Sequence, residues 1–356
     1  MPQTCHAFPC YDLTEAPSFV TLFLHNFNSV YPPLMPAKMR QTGVYRNGDE
    51  HMIAIIMAVY NGETYLNEQI DSLLSNTEKD FVLHIFDDGS TDRSAAVIQS
   101  YTDKYPSKIF YHRNVTNQGV IHNFLNGCLQ VDADYYMFCD QDDVWLPEKI
   151  AHSVEAVKRA EAQSPNVPIA LFGDARVVDD SLQQLHPSFQ QMSGYHTDAL
   201  DVAHLLMENK LIGCTMLFNR ALRDKLTDTV PDGLRMHDWW IALIASAFGR
   251  IIYLDEPLLL YRQHTGNVVG GSSRSHYITN RVKHLTAQRQ VLYDTCKQAE
   301  VFLTIYNDQL TETQKRLVSL FAGLPSANWF TRRYLILRYH FLKSGLLRNL
   351  GVLLII

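Results

Sequence analysis

The chain is 356 residues long and 46% hydrophobic, enough for one large α/β core with a smaller appendage. Its formal charge of -6, with only 31 Lys plus Arg, excludes a protein that holds nucleic acid by neutralising phosphates, so no nucleic-acid partner is expected. Cys5, Cys10, Cys128, Cys139, Cys214 and Cys296 include no CxxC pair, which excludes a cysteine-rich structural zinc site and fits a reducing cytosol.

Residues 1–50 scatter Pro2, Pro9, Pro17, Pro32, Pro33 and Pro36 among aromatics without a sustained period, and are expected to form an irregular extension. Organised sequence begins with the continuous apolar run Ile53 to Val59, the pattern of a central strand covered on both faces. Leu66, Ile70, Leu73 and Leu74 then predict a helix, and Phe81 to Phe86 a second strand that stops at Asp87 and Asp88. A helix over 91–105, a strand over 109–111, a helix over 120–129 and a strand over 135–139 continue the alternation. A helix over 147–162 and strands over 169–172 and 214–218 follow, then a helix over 238–248. The alternation predicts an α/β fold with a mostly parallel sheet flanked by helices, whose ligands bind at the carboxyl ends of the strands. Beyond residue 270 the strand signals fade and helices are expected over 277–303 and 308–321, after a hinge at Gly270, Gly271, Ser272 and Ser273. The expected divisions are thus an extension over 1–50, a catalytic domain over 51–269 and a helical region over 270–356.

Four polar clusters sit at the predicted strand ends. Asp87 and Asp88 precede Gly89 and Ser90, where an Asp either shapes a turn or faces a ligand. Asp140, Gln141, Asp142 and Asp143 end the strand Tyr135 to Cys139; three carboxylates in four positions repel one another and supply the hard oxygens that Mg²⁺ or Mn²⁺ takes. Asp238, between His237 and Trp239, is either an N-cap or a half-buried general base, with Trp239 and Trp240 as flat faces for sugar rings. His264, in the loop Arg262–Gln263–His264, is either a surface histidine, a third metal ligand or a diphosphate contact.

Taken in order, Val59–Tyr60–Asn61–Gly62–Glu63, Asp87–Asp88–Gly89–Ser90–Thr91–Asp92, Asp140–Gln141–Asp142–Asp143–Val144–Trp145 and His237–Asp238–Trp239–Trp240 resemble glycosyltransferase family 2 over residues 52 to 268. Within it the Asp140 to Trp145 run, the His237 to Trp240 segment and the Arg262–Gln263–His264 loop look most like bacterial rhamnosyltransferases of cell-surface polysaccharide assembly. The resemblance implies a GT-A fold and a nucleotide-sugar pocket drawn from Ala58, Tyr60, Glu63, Asp87, Asp88, Asn117, Gly119, Asp140, Gln141 and Trp239. It implies that Tyr60 stacks on the base, that Asp88 accepts from the base N3, and that Asp140 and Asp142 form the DxD motif, with Asp140 near the ribose and Asp142, or Asp143 sharing its role, on Mn²⁺ or Mg²⁺. Asp238 would deprotonate the acceptor for a single inverting displacement. The donor implied first is dTDP-rhamnose, then a UDP-hexose; the acceptor implied is a glycan or lipid-linked glycan. The GlnxxArgTrp motif of processive synthases is missing, which points to single additions.

From Thr331 to Ile356 five cations and no acidic residue interleave with leucines and aromatics, so this end either lies on a membrane surface or packs on the catalytic domain. No apolar stretch reaches the roughly 18 residues of a membrane span and no signal sequence opens the chain, so the expected place of work is the cytoplasm, at the inner face of its membrane where the C-terminal end binds lipid. Rival readings are a metal-dependent phosphohydrolase, a non-catalytic carbohydrate-binding protein and a dinucleotide-dependent oxidoreductase, the last opposed by the missing GxGxxG after the first strand.

Overall fold

The computed structural model describes residues 52–264 and 285–356; the expected extension over 1–50 and the expected hinge at Gly270 to Ser273 lie outside them. The chain opens with β1 (Ile53–Val59), α1 (Leu66–Leu74), β2 (Phe81–Asp87), α2 (Ser94–Lys104), β3 (Ile109–Arg113), α3 (Val120–Gln130) and β4 (Tyr135–Cys139). β1 is parallel to β2 and to β4, with Val59 opposite Asp87 and Met57 opposite Cys139. This register delivers Tyr60, Asp88 and Asp140, the residues just past each strand, to one edge of the sheet.

The second half supplies β5 (Val144–Trp145), α4 (Lys149–Gln163), β6 (Ile169–Val178), β7 (Gln184–His186), α5 (Phe189–Ser193), α6 (Val202–Met207), β8 (Leu217–Asn219), α7 (Arg220–Arg223), α8 (His237–Phe248) and β9 (Arg250–Arg262). The strands order as β3-β2-β1-β4-β8-β6-β9-β5, with β7 on β6. β8 runs antiparallel to β4 and β6, and β5 antiparallel to β9, so the sheet is mixed and mostly parallel. Alternate residues of β1 serve opposite faces: Ala54 and Ile56 join a core with Phe124 and Phe138, while Ile55 and Met57 join one with Leu73 and Ile150.

Two local expectations change. The apolar run at 214–218 is a strand only from Leu217; Gly213–Thr215 form a single 3₁₀ turn instead. Hydrophobic runs this short are buried in either conformation, so periodicity does not separate them. A strand absent from the expected elements also follows the helix over 238–248: β9 is 13 residues long, and only its end, from Leu258, is deeply buried, which hides its pattern.

Four helices close the described chain: α9 (Leu285–Tyr306), α10 (Glu312–Ala322), α11 (Trp329–Arg338) and α12 (Leu346–Ile355). Thr311 and Gln314 form a reciprocal capping box at the start of α10. Phe302, Tyr306, Phe321, Phe341 and Val352 share one hydrophobic core with Trp240 of α8. Among the described residues no helix is long and apolar enough to cross a membrane.

Candidate active site

A cleft of about 890 Å³ opens at the carboxyl ends of β1, β2 and β4. β5 shapes its acidic floor. By pairing Val144 with Leu260 of β9, it turns Asp143 inward, where Asp143 Oδ1 accepts the Arg262 N–H at 3.2 Å and Oδ2 has no partner. Ligand atoms of Asp140, Asp143 and Cys214 lie within 4.8 Å of one another. Asp142 Oδ2 instead faces His264 Nε2 at 2.8 Å, and the His264 ring stacks on Tyr65.

These carboxyls are poorly neutralised. Burial first, and then the charges of Asp142 and Asp238, push the Asp140 carboxyl up to about 7, although its edge opens on the cleft. Burial, with Asp142 and Asp140 adding to it, holds Asp143 well above the usual carboxylate range. The buried Lys149 lies beneath them; its Nζ donates to the Cys214 carbonyl and sits 3.3 Å from the Trp145 ring centre, and burial lowers its pKa to about 8. Burial also raises the Cys214 thiol, which stays protonated beside Asp140 and Asp143. A set of crowded carboxylate oxygens, one of them orphaned, fits a hard divalent cation, and the protonated thiol beside it does not select a soft one.

Asp238 stands on the opposite wall. The N-cap of α8 is Met236, so Asp238 lies within the first helical turn and is not the cap. Its Oδ1 accepts the Trp239 N–H at 2.6 Å, its Oδ2 accepts the Gly213 N–H at 3.1 Å, and Asn209 adds a side-chain hydrogen bond. Burial outweighs these bonds and raises the Asp238 pKa to about 6, a value suited to a base near neutrality. Trp239 lines the cleft with its indole N–H tied to the Leu205 carbonyl at 2.5 Å. Trp240 does not supply the expected sugar platform: it is fully buried against Phe302 and Tyr306, since residues one apart on a helix face different ways.

Gly213 allows this close approach. A Cβ there would fall 2.8 Å from His237 Nε2 and 3.4 Å from Asp238 Cβ. Gly213→Ala is expected to displace Asp238 and lower turnover about tenfold or more, with KM for the donor little changed, because misplacement of a base by a fraction of an ångström acts on the chemical step. Steady-state kinetics checks this.

The other end of the cleft is formed by loops. Tyr60 is 48% exposed, and its backbone is clamped by Gln141, which accepts from the Tyr60 N–H at 2.8 Å and donates to the Tyr60 carbonyl at 3.2 Å. Asp88 accepts from the Asn114 side chain and from the N–H groups of Gln118 and Gly119, each at 2.8 Å, which folds the loop carrying Asn117 against the strand end. Gly119, at φ 83°, makes the turn into α3 that a side chain would resist. Ala58, Tyr60, Asp88, Asn117, Gly119, Asp140, Gln141, Asp142, Asp238 and Trp239 all line the one cleft.

Glu63 and Asp87 do not line it. Glu63 is turned to the start of α2, where it accepts the Arg93 N–H at 2.7 Å. Asp87 is fully buried, accepting from Ser90 N–H and Tyr111 Oη at 2.8 Å with Arg113 at 3.6 Å, which is the turn-shaping role. His264 touches the acidic floor through Asp142 without lining the cleft itself.

The arrangement has known counterparts. The family model described as glycosyl transferase family 2 matches residues 54–224. The dTDP-rhamnosyl transferase RfbG of Shigella flexneri is 30% identical over 226 residues, which cover 61% of this chain and 74% of that protein. The chain belongs to glycosyltransferase family 2. An uncharacterised glycosyltransferase of Rickettsia typhi, RT0329, is 25% identical over 59% of this chain and 63% of its own length. The structure of S. aureus TarS 1-349 in complex with UDP-GlcNAc superposes with a TM-score of 0.52 at 15% identity, covering 82% of this chain and 80% of that one, and shares the GT-A fold.

Several residues that organise the site of this glycosyltransferase escape sequence reasoning. Arg262 is 1% exposed; its Nε donates to the Asp142 carbonyl at 2.9 Å and its other nitrogens reach the Asp180 carbonyl and the Glu68 carboxylate, so it ties the acidic floor to α1. Lys149 and Cys214 sit below that floor, and Lys343 and Arg348 line the far wall. Lys149 follows Glu148 and opens a helix that also carries Glu155, Lys158 and Arg159, so nothing in the local sequence separates it from a solvated cation.

Proposed function

We propose that this glycosyltransferase transfers rhamnose from dTDP-rhamnose to a glycan or lipid-linked glycan of a growing cell-surface polysaccharide, with inversion, at the cytoplasmic face of a membrane. The observation that carries the chemistry is the facing of Asp238 and the Asp140–Asp142 floor across one cleft, with Asp238 held by the Gly213 N–H and raised to about 6. Asp238 takes the proton of the acceptor hydroxyl as that oxygen attacks the anomeric carbon, and the nucleoside diphosphate leaves with the bonding electron pair. Tyr60, Asp88, Asn117 and Gly119 hold the nucleotide end, and Trp239 bounds the sugar. Asp140 and Asp142, with His264 beside Asp142, would hold Mn²⁺ or Mg²⁺, which would supply positive charge for the departing diphosphate.

The donor assignment is supported by the name of the Shigella relative. UDP-hexose is the second reading, favoured by neighbours solved with UDP-GlcNAc and with UDP, GalNAc and Mn²⁺. Purified protein with Mn²⁺ and a membrane glycolipid extract is expected to label lipid from dTDP-rhamnose and not from UDP-GlcNAc, UDP-glucose or GDP-mannose. Labelling only from a UDP-sugar moves the assignment to that donor, and free rhamnose without labelled lipid replaces transfer by hydrolysis.

A further inference from the structure

The last two helices carry apolar faces that sugar transfer does not use. On α12, Leu346, Leu347, Leu350 and Leu354 follow helical spacing and are 75%, 72%, 48% and 80% exposed. On its other side Val352 is buried, and Gly351, Val352 and Ile355 form part of the wall of the catalytic cleft. One helix thus faces the cleft with one side and presents leucines outward with the other. α11 repeats the pattern: Trp329, Phe330, Tyr334 and Leu337 are 57%, 77%, 62% and 55% exposed, with the Arg333 guanidinium stacked 3.7 Å over Trp329.

A helix adapted to water alone turns such residues inward, and rows of exposed leucine and aromatic side chains mark a surface made for a partner. Charge selects the partner. From Thr313 to Ile356 there are seven Lys or Arg and no Asp or Glu, although the whole chain carries -6. Lys315 pairs with Glu312 and Arg348 with Glu208, whereas Arg333 over Trp329 and Arg338 over Tyr339 stand among the exposed aromatics. Leucines and aromatics beside such cations match the acyl boundary and the anionic headgroups of a bilayer together.

We propose that α11 and α12 dock the enzyme on an anionic phospholipid surface, so that the α12 wall of the cleft lies at the lipid boundary. This deepens the lipid-linked acceptor reading, on which its use in transfer rests. Vesicle binding needs neither donor nor acceptor, so the two can fail separately.

The test is co-sedimentation of the full chain with vesicles of phosphatidylcholine alone or mixed with phosphatidylglycerol. Wild type is expected to pellet with the anionic vesicles, less with the neutral ones, and less at high salt. Leu346→Glu, Leu350→Glu and Leu354→Glu combined are expected to lower the partition by about tenfold or more while leaving the melting curve intact, because all three side chains are exposed. Arg333→Glu with Arg338→Glu should remove the preference for anionic vesicles. Wild type that stays in the supernatant with both vesicles, or leucine variants that pellet like wild type, overturns the proposal. So does a dimer in light scattering that the leucine substitutions break without any vesicle binding, which assigns the face to a second copy of the chain.

Discussion

Asp238→Asn is expected to lower kcat by about 10²- to 10⁴-fold while leaving donor binding intact, the span lost when a positioned general base is removed. Asp238 now accepts the Gly213 N–H on Oδ2 at 3.1 Å and the Trp239 N–H on Oδ1 at 2.6 Å; the asparagine carbonyl keeps one of these bonds and its amide faces the other N–H, so the proton acceptor and one hydrogen bond are lost together. Wild-type activity should rise with pH through about 6, where the Asp238 carboxyl loses its proton, and the variant should lack that limb. Stability moves the other way. A carboxyl whose folded pKa lies above its ordinary 3.8 favours folding while protonated, and that contribution is lost as pH rises through about 6. At pH 7 the charged Asp238 therefore costs on the order of 3 kcal/mol, a relief in the neutral substitute that offsets the lost hydrogen bond, so its Tm should not fall below that of the wild type. A variant that transfers sugar at the wild-type rate removes Asp238 from the chemistry; one that is slow but also melts early assigns the loss to misfolding.

Much of this site was legible because its residues directly follow apolar strands. The runs ending at Val59, Asp87 and Cys139 are long enough to be recognised, and parallel register then brings Tyr60, Asp88 and Asp140 together without further information. Neighbouring residues of like type were not separable. Asp87 and Asp88 are both carboxylates, yet one ends inside the sheet on Tyr111 and the other folds the Gly119 loop at the cleft, a difference set by which side of the strand end each occupies. Trp239 and Trp240 diverge for the same reason on a helix. The contributions of Arg262, Lys149 and α12 were not legible, because each arises from a contact across scores of residues. Arg262 reaches back to Glu68, and α12 meets a cleft whose floor lies some two hundred residues earlier. Short-range periodicity does not encode such pairings.

Asp142→Asn is expected to abolish stimulation by Mn²⁺ or Mg²⁺ and to lower turnover by about two orders of magnitude, the scale of about 3 kcal/mol of transition-state charge stabilisation. Chelation of the wild type should have the same effect and be reversed by added Mn²⁺, whereas the variant should be indifferent to both. The electrostatics of the metal-free floor make the pH dependence specific. Asp140 is raised to about 7 by burial and by the charges of Asp142 and Asp238, so cation affinity should climb as pH rises through that region and the carboxyl is freed of its proton. Asp238 adds to this repulsion from across the cleft; removing its charge should lower the Asp140 pKa but also withdraws an anion that attracts the cation, so Mn²⁺ affinity should stay near the wild-type value or fall slightly even as turnover falls steeply. Isothermal titration of Mn²⁺ against wild type, Asp238→Asn and Asp142→Asn separates these effects. Near-wild-type binding in the first variant with weaker binding in the second places the ion on Asp142 and leaves Asp238 to the proton. Equal affinity in all three places the cation elsewhere.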